Sequence, residues 1–576
     1  MSPHAARGPA LTLSVAITGS GGSGAVTTGL ILLEAIAQAG FYGLMTRSAG
    51  PQIRGGESAV MLRFSDQPVD SMGDRFDFLV GLDWRNVDRF APEIALDSGS
   101  QILADPAAGE VPDVLLTSGA QARREPFKSI AGVIPDGRIN MAALGVLGAV
   151  LGLPMDALEA GTRRVLASKH EGVTESAVAC IRHAYSMERE ARPALPAPAH
   201  AQPDRWNLSG NEAAGLGALR GGVRFVAAYP ITPATEILEW LAPRLEHLGG
   251  CLLQAEDELA SINMIIGASF GGVPSLTATS GPGLSLMVEG LGLAVASETP
   301  VVVVDVMRGG PSTGIPTKSE QSDLNIALHG LHGDAPHLVL APLSIRDCAF
   351  TTQWAVGLAE HLQAAAIVLS DQLLGQSRAV TVPPVQPKGA LARRRWQGPD
   401  GEYIRYAPTD DGISPMAVPG DAGGVYTADG LEHSQSGAPS SAAADHQQQL
   451  AKRRAKVDKL DYGEAWAEIR GDGPLCIVTW GSSAGAAFEA AHRLTSAGIA
   501  VRVIALRLLA PLQRRALVDA LTPAERVWVV ELNEGAQLFH YLHAEQAIPA
   551  ESCSLARPGP LPLRPGEIVS AVTEAT

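Results

Sequence analysis

The sequence predicts a multi-domain α/β protein, and three observations carry that prediction. The 576 residues are 46% hydrophobic but only 18% charged and 5% aromatic, an Ala/Gly/Val-rich balance suited to large sheets with helices packed closely on both faces. Short apolar runs end in glycine- or proline-rich turns, at 11–18 before Gly19, 223–228 before Tyr229, 301–306 before Arg308 and 475–479 before Trp480. Helical stretches follow, giving a rhythm of strand, turn and helix. At roughly 150 residues per domain the chain has room for about four.

The first unit spans residues 8–188. Its opening strand, 11–18, runs into Gly19-Ser20-Gly21-Gly22-Ser23-Gly24 and an amphipathic helix. This satisfies Gly-x-Gly-x-x-Gly in a strand-turn-helix setting, so an NADP-binding protein is one reading, with Arg47 available to a 2′-phosphate. The motif is weak by itself. A linker, 189–206, rich in Ala and Pro between 193 and 203, follows as an extended spacer.

The second unit, 207–376, carries three elements in succession. Tyr229-Pro230-Ile231-Thr232-Pro233 follows the run 223–228, so a buried strand ends in a turn stiffened by two prolines. That turn fixes the Thr232 hydroxyl at a strand's carboxyl end, where open parallel sheets bind ligands. Glu256-Asp257-Glu258 then opens a helix over 259–270, followed by a strand and the turn Thr279-Ser280-Gly281-Pro282-Gly283. Last, the strand 301–306 delivers Arg308 into the glycine-rich loop Gly309-Gly310-Pro311-Ser312-Thr313-Gly314.

These elements read as one half of a thiamine diphosphate site. Thiamine chemistry needs a carboxyl group beside N1′ of the aminopyrimidine, because sharing a proton there favours the imino tautomer that removes the thiazolium C2 proton. Such a charge-assisted hydrogen bond is worth roughly 1.5–3 kcal/mol. An acidic triplet in a first turn also complements the helix macrodipole, so a lone glutamate there would carry no functional meaning. The stretch from Glu258 through Gly267 to Ser280-Gly281-Pro282-Gly283, however, resembles the pyrimidine-binding domain of thiamine enzymes such as acetolactate synthase. Glu258 fills the slot of their activating glutamate, with Glu256 as the alternative.

Tyr229 to Pro233 together with Arg308-Gly309-Gly310-Pro311-Ser312-Thr313-Gly314 resembles the 2-oxoacid:ferredoxin oxidoreductases, and most closely the α subunit of the 2-oxoglutarate type with a γ domain fused in front. The resemblance covers nearly the whole chain. It implies that Pro230, Thr232, Glu258, Ser280 and Gly281 hold the thiamine, and that Thr232, Arg308 and Thr313 hold the oxoacid, with Lys318 a candidate for a second carboxylate. A guanidinium offers a planar fork to a carboxylate, which suits Arg308 to that role. Ser48-Ala49-Gly50-Pro51-Gln52-Ile53-Arg54-Gly55-Gly56-Glu57 is similar to the γ-domain signature, although family members often carry Glu at the place of Gln52. By that likeness Arg47, Arg54, Gly55 and Gly56 would meet coenzyme A. The activity implied is oxidative decarboxylation of 2-oxoglutarate to succinyl-CoA and CO2 with reduction of ferredoxin, open to reversal. Pyruvate or another 2-oxoacid as substrate, and a non-oxidative thiamine synthase or decarboxylase, are the alternatives.

Part of such an enzyme is missing from this chain. Gly471-Asp472-Gly473 imitates a Mg²⁺–diphosphate turn but precedes its strand, and the next asparagine is Asn533, so it reads as an ordinary turn and no residue is assigned to metal. The five cysteines, Cys180, Cys251, Cys348, Cys476 and Cys553, stand singly with no Cys-x-x-Cys pair, which leaves no readable iron–sulfur or zinc site. Each reads as a small buried apolar residue. Mg²⁺, the diphosphate site and a [4Fe-4S] cluster are therefore expected on a β subunit, in a dimer of αβ heterodimers that reduces ferredoxin.

The remaining segments are less informative. Residues 377–461 read as an arm, with Arg393-Arg394-Arg395 near its start and Lys452, Arg453, Arg454 and Lys456 as a solvated helix face. Thr427 to His433 resembles a family feature in which an acidic pair follows the histidine, but Ser434 and Gln435 stand there. Residues 462–575 alternate strands and helices like a transketolase C-terminal domain, with Trp480-Gly481-Ser482-Ser483 and Glu531-Leu532-Asn533-Glu534-Gly535 at strand ends in a scaffold role. The net charge of −16 argues against nucleic acid and anionic membrane as partners. No apolar run approaches a membrane span and the amino terminus shows no export signal, so the expected location is the cytoplasm.

Overall fold

The computed structural model describes residues 11–49, 58–85, 87–188, 192, 195, 198, 205–389, 391–398 and 402–574. The chain divides into two compact units, one formed by 1–209, 377–383 and 564–566, the other by 210–376, 384–563 and 567–576.

The first unit is built on an eight-stranded sheet in the order Gln121–Arg124, Gln101–Ala104, Phe78–Gly81, Thr12–Gly19, Ser58–Ser65, Tyr42–Ala49, Arg378–Thr381, Trp206–Ser209. The first four strands run parallel and the remaining pairings are antiparallel. Val15 and Ile17 join Leu32, Leu33, Leu144 and Leu147 in one core. The last two strands were not legible: 378 reads as the start of an arm, and 207 as the start of another domain. Their pairing comes from a long-range ladder, reinforced where Arg378 Nε donates to Asn207 Oδ1 (3.1 Å) and Nη2 to the Asn207 carbonyl (3.1 Å).

The second unit holds a seven-stranded sheet in the order Leu508–Ala510, Leu338–Leu340, Ala365–Asp371, Val301–Met307, Ser275–Thr279, Phe225–Ala228, Cys251–Gln254. Only the Leu508–Ala510 pairing is antiparallel. The valine run of Val301–Met307 suits a strand covered on both faces, and every one of its residues is buried. From Phe225–Ala228 the chain goes first to the edge strand Cys251–Gln254, then returns to the other side of Phe225–Ala228 for Ser275–Thr279. Direction therefore reverses between Phe225–Ala228 and Ser275–Thr279, which makes the crevice beyond their carboxyl ends the natural ligand site of such a sheet. A five-stranded sheet follows, Ala467–Arg470, Val501–Leu506, Leu475–Trp480, Arg526–Glu531, Cys553–Ala556, parallel except for its first pair. Gly471 and Gly473 connect two of its strands and pack against the backbone of Ala500 and Val501.

Two sequence readings are corrected here. Lys452, Arg453 and Lys456 lie on the helix Ala443–Asp458 but are 4%, 5% and 3% exposed; only Arg454 faces solvent. Lys452 Nζ donates to Glu298 Oε1 and Oε2 (2.7 and 2.6 Å), Lys456 Nζ to Glu298 Oε2 (3.1 Å) and the Gln363 carbonyl (2.6 Å), and Arg453 pairs with Glu432. The lysines' partner Glu298 lies more than 150 residues earlier, so nothing local to the helix announces it. Among the cysteines, Cys180, Cys348 and Cys476 are buried as expected, Cys553 is half-buried, and Cys251 is exposed because it sits on the edge strand.

Candidate active site

Turns at the carboxyl ends of four neighbouring strands assemble the site. After Phe225–Ala228, Tyr229 and Thr232 are exposed, while the Thr232–Pro233 peptide is cis and Pro233 is buried. The buried Asn211, on the helix Gly210–Arg220, donates from Nδ2 to the Pro233 carbonyl (2.9 Å) and to Glu236 (3.4 Å), holding the turn.

Glu258 is the first residue of the helix Glu258–Phe270. Asp257 caps that helix, its carboxylate accepting from Ala260 N–H at 2.7 Å, a bond worth about 1 kcal/mol. With Asp257 serving as the cap, Glu258 is not needed for capping. It is only 7% exposed, and its carboxylate accepts no hydrogen bond from any described residue. It lies against the start of the next helix, Gly281–Ala296: a Cβ at Gly283 would overlap Thr279 Oγ1 and stand 2.8 Å from Glu258 Oε1. The missing side chain therefore leaves room for that carboxyl. Ser280 precedes this helix fully buried, its hydroxyl unpartnered, and Gly281 has no side chain because one would meet the Asp323 carboxyl at 2.6–2.9 Å.

Arg308 follows Val301–Met307. It is 7% exposed, and its Nη1 donates to the Thr232 carbonyl at 2.5 Å while its buried Nε has no partner. Burial lowers the pKa of this guanidinium, opposed by Asp323 and Asp305. The loop beyond is closed by Ile315 N–H on the Gly309 carbonyl (2.7 Å) and Gly309 N–H on the Lys318 carbonyl (3.0 Å). Gly314 takes φ +55°, where a Cβ would strike the Gly309 carbonyl, so glycine is required there.

The predicted residues therefore fall into groups. Thr232 and Arg308 are joined by a hydrogen bond; Glu258, Thr279 and Gly283 form a second cluster; Ser280 and Gly281 open the helix beside it. Thr313 stands on the exposed tip of the loop and makes no hydrogen bond with Arg308 among the described residues. Lys318 is half-buried at the loop's base. Arg47 belongs to the other compact unit, half-buried on Tyr42–Ala49, and Arg54, Gly55 and Gly56 lie outside the described residues. In that unit the glycine turn is occupied by the chain's own groups. The Asp83 carboxylate accepts from Ser20 N–H (2.9 Å) and Ser20 Oγ (2.6 Å), and although burial opposes its charge, those bonds keep it below the usual carboxylate range.

Sequence reasoning missed two sets of residues. Asp305, fully buried, and Asp323, half-buried, lie beside Arg308; an acid inside the run Val301–Met307 was the available signal. Gln321 plugs the C-terminal sheet: its Nε2 donates to the Trp480 carbonyl (2.9 Å), and its Oε1 accepts from Ser483 Oγ (2.8 Å) and Leu532 N–H (2.8 Å). Both strand-end turns of that sheet are thereby committed to holding the loop that follows Arg308.

A doubly wound sheet with an unpaired carboxyl at one helix start and a buried arginine at the next strand end defines the class: an enzyme with a pyrimidine-type thiamine fold. Residues 216–453 match the family described as pyruvate flavodoxin/ferredoxin oxidoreductase, thiamine diphosphate-binding, residues 14–187 that of pyruvate ferredoxin/flavodoxin oxidoreductase, and residues 465–536 the transketolase C-terminal domain. The 2-oxoglutarate synthase subunit KorA of Methanothermobacter marburgensis is 35% identical over 64% of this chain and 98% of its own length. The 2-oxoacid:ferredoxin oxidoreductase subunit alpha of Saccharolobus solfataricus is 30% identical over 92% of this chain and 95% of its own length. Among solved structures, the 2-oxoglutarate:ferredoxin oxidoreductase of Magnetococcus marinus, determined with 2-oxoglutarate, coenzyme A and succinyl-CoA bound, is 36% identical, with a TM-score of 0.90 over 98% of this chain and 99% of that one. The chain belongs to the 2-oxoacid:ferredoxin oxidoreductase α subunits with a fused γ domain, and is most like those of the 2-oxoglutarate type.

The residues present fit thiamine diphosphate. Glu258 is shielded and unpaired, a Gly283 Cβ would intrude, and the Ser280 hydroxyl and Arg308 Nε are buried without partners, all at the crevice of the sheet. Among the described residues no cluster of His, Cys, Asp or Glu could hold a metal ion, and no helix is long and apolar enough to cross a membrane.

Proposed function

We propose that this chain is the subunit of a 2-oxoglutarate:ferredoxin oxidoreductase that holds the aminopyrimidine and the oxoacid, converting 2-oxoglutarate and coenzyme A to succinyl-CoA and CO2 with two electrons passed to ferredoxin, reversibly. The observation that carries this reading is the likeness over 98% of the chain to an enzyme solved with 2-oxoglutarate, coenzyme A and succinyl-CoA. A β subunit supplies the diphosphate and Mg²⁺ site and a [4Fe-4S] cluster, in a dimer of αβ heterodimers.

Bound thiamine diphosphate supplies the carbanion chemistry that releases CO2 from a 2-oxoacid. Glu258 holds a proton at N1′ of the aminopyrimidine, and its shielding from water keeps that hydrogen bond strong. Pro230, Ser280 and Gly281 line the ring. Thr232 orients the keto oxygen through its hydroxyl, while its carbonyl positions Arg308. Arg308 presents its remaining N–H groups to the oxoacid carboxylate, with Thr313 as the second donor once its loop closes, and Lys318 takes the distal carboxylate. Arg47, Arg54, Gly55 and Gly56 contact coenzyme A.

The test is to purify the chain with the partner encoded beside it and follow dye reduction with 2-oxoglutarate, pyruvate and indolepyruvate. Product formation is expected to require both coenzyme A and an electron acceptor, which a non-oxidative thiamine enzyme would not. Glu258→Gln is expected to retain the cofactor and lose on the order of 10²–10⁴-fold in turnover. Turnover near that of the unsubstituted enzyme with cofactor bound would remove Glu258 from its role.

A further inference from the structure

Asp305 is fully buried, Asp323 is half-buried with its Oδ2 shut off from solvent, and the two carboxyl groups lie within hydrogen-bond reach of each other beside Arg308. Asp305 is 0% exposed, and neither of its oxygens meets a donor; Asp323 Oδ2 meets none either. Two acceptors in contact, with no donor between them, stay together only when one carries a proton. Asp305 lies on the strand Val301–Met307, three residues before Arg308, level with Thr279 on the neighbouring strand. Asp323 reaches the same place from the far end of the substrate loop, and its carboxyl fills the space that a Gly281 side chain would take. The loop is pinned there by Gln321, two residues earlier.

We propose that Asp305 and Asp323 are positioning residues for the oxoacid: a proton-sharing pair that serves as counter-ion to Arg308 and draws in a proton from solvent when the oxoacid carboxylate arrives. This rests on the reading of Arg308 as the carboxylate's partner. In the free site the ionised pair carries one negative charge and balances the guanidinium. A bound carboxylate adds a second negative charge to the same guanidinium, so the pair favours its fully protonated form, and binding and protonation strengthen each other. Burial raises Asp305 well above the usual carboxylate range and Asp323 to about 6, which puts the pair's first ionisation, from fully protonated to singly charged, where it can respond near neutral pH. The charged neighbours are Arg308 and Glu320 from the loop and strand end; Asp371, at the end of the adjoining strand, is itself raised by burial and accepts at Oδ1 from Leu374 N–H (2.9 Å). Lys318, Glu256, Asp257 and Glu258 complete the charged groups of these turns.

The experiment uses the assembled complex with thiamine diphosphate and Mg²⁺, and the inhibition constant of glutarate, a dicarboxylate with no keto group to react. A carboxylate that raises the pair's pKa by one unit weakens glutarate binding by roughly fivefold from pH 6 to pH 8. Asp323→Asn is expected to flatten that dependence and Glu320→Gln to keep it. A flat profile in the unsubstituted complex, a slope that survives in Asp323→Asn, or a slope lost in Glu320→Gln overturns the proposal. Should Asp323→Asn not assemble, Asp305→Asn takes its place. Calorimetry of glutarate binding to the unsubstituted complex in two buffers of different ionisation enthalpy needs no variant, and absence of proton uptake at pH 7 is equally fatal. Arg308→Lys separates the two layers: it should raise the KM for 2-oxoglutarate at every pH, and an unchanged KM would fault the reading of Arg308 itself.

Discussion

Replacing Glu298 by Gln tests the least expected feature of this chain. Glu298 lies just beyond the helix Gly281–Ala296, fully buried, and is the carboxylate shared by Lys452 and Lys456, while Arg405, also fully buried, donates to its carbonyl at 2.9 Å. One anion thus faces three cations. Burial opposes its charge, yet Lys456, Lys452 and Arg405 together hold the carboxyl far below its usual range. Glu298→Gln preserves shape but leaves the cations unbalanced, a defect that costs about 3–5 kcal/mol. Lys456→Met removes one of the surplus cations and keeps most of the stem; it forfeits the hydrogen bond to the Gln363 carbonyl, about 1 kcal/mol. Because unfolding of a multi-domain chain is not two-state, the proper readout is local: amide hydrogen exchange in Ala443–Asp458. Opening of that helix should accelerate by roughly 10²–10⁴-fold in Glu298→Gln and by only about tenfold or less in Lys456→Met. Equal acceleration in the two variants would refute the charge-balance reasoning.

Gly283→Ala should impair thiamine diphosphate binding and turnover at least as much as Glu258→Gln, on the order of 10²-fold or more, because its methyl group overlaps Thr279 Oγ1 and crowds Glu258 Oε1; equilibrium cofactor binding checks it. Gln321→Ala strands the Leu532 N–H and the Trp480 carbonyl, each at about 1–3 kcal/mol, and is expected to raise the KM for the oxoacid more than it lowers kcat. Burial pushes Lys456 down to about 7 from an ordinary 10.5, so from pH 7 to 10.5 the unfolded chain binds a proton that the folded chain has released. Docking of Ala443–Asp458 should therefore strengthen as pH rises through that window, read as slower exchange at pH 8.5 than at pH 7 after correction for intrinsic rates. At the acid end, the depressed Glu298 carboxyl contributes stability that is whole above 4.5 and is lost as pH falls further.

Much of the site was legible because its parts are short and chemically distinctive. Glu258 stood out as an acid at a helix start followed by a glycine–proline turn, and Arg308 as a cation at the end of a valine run; the structure adds the bond from Arg308 to Thr232, across 76 residues. Asp305 was equally visible as an acid within that run, but its meaning depended on Asp323, which no spacing rule connects to it. The basic stretch 452–456 was misread because a lysine-rich helix shows the same pattern whether it meets water or a distant carboxylate.

The sequence by itself determined the strands, the turns and the chemical groups at their ends, since hydrophobic periodicity and glycine or proline placement act over a few residues. Only the tertiary structure decided which distant groups share a space: Glu298 with Lys452 and Lys456, Asp305 with Asp323, Gln321 with the ends of a separate sheet, and the strand Arg378–Thr381 in the first unit's sheet. The physical reason is that burial and charge pairing are properties of a place in space, and residues far apart along a chain carry no local mark of the place they will come to share.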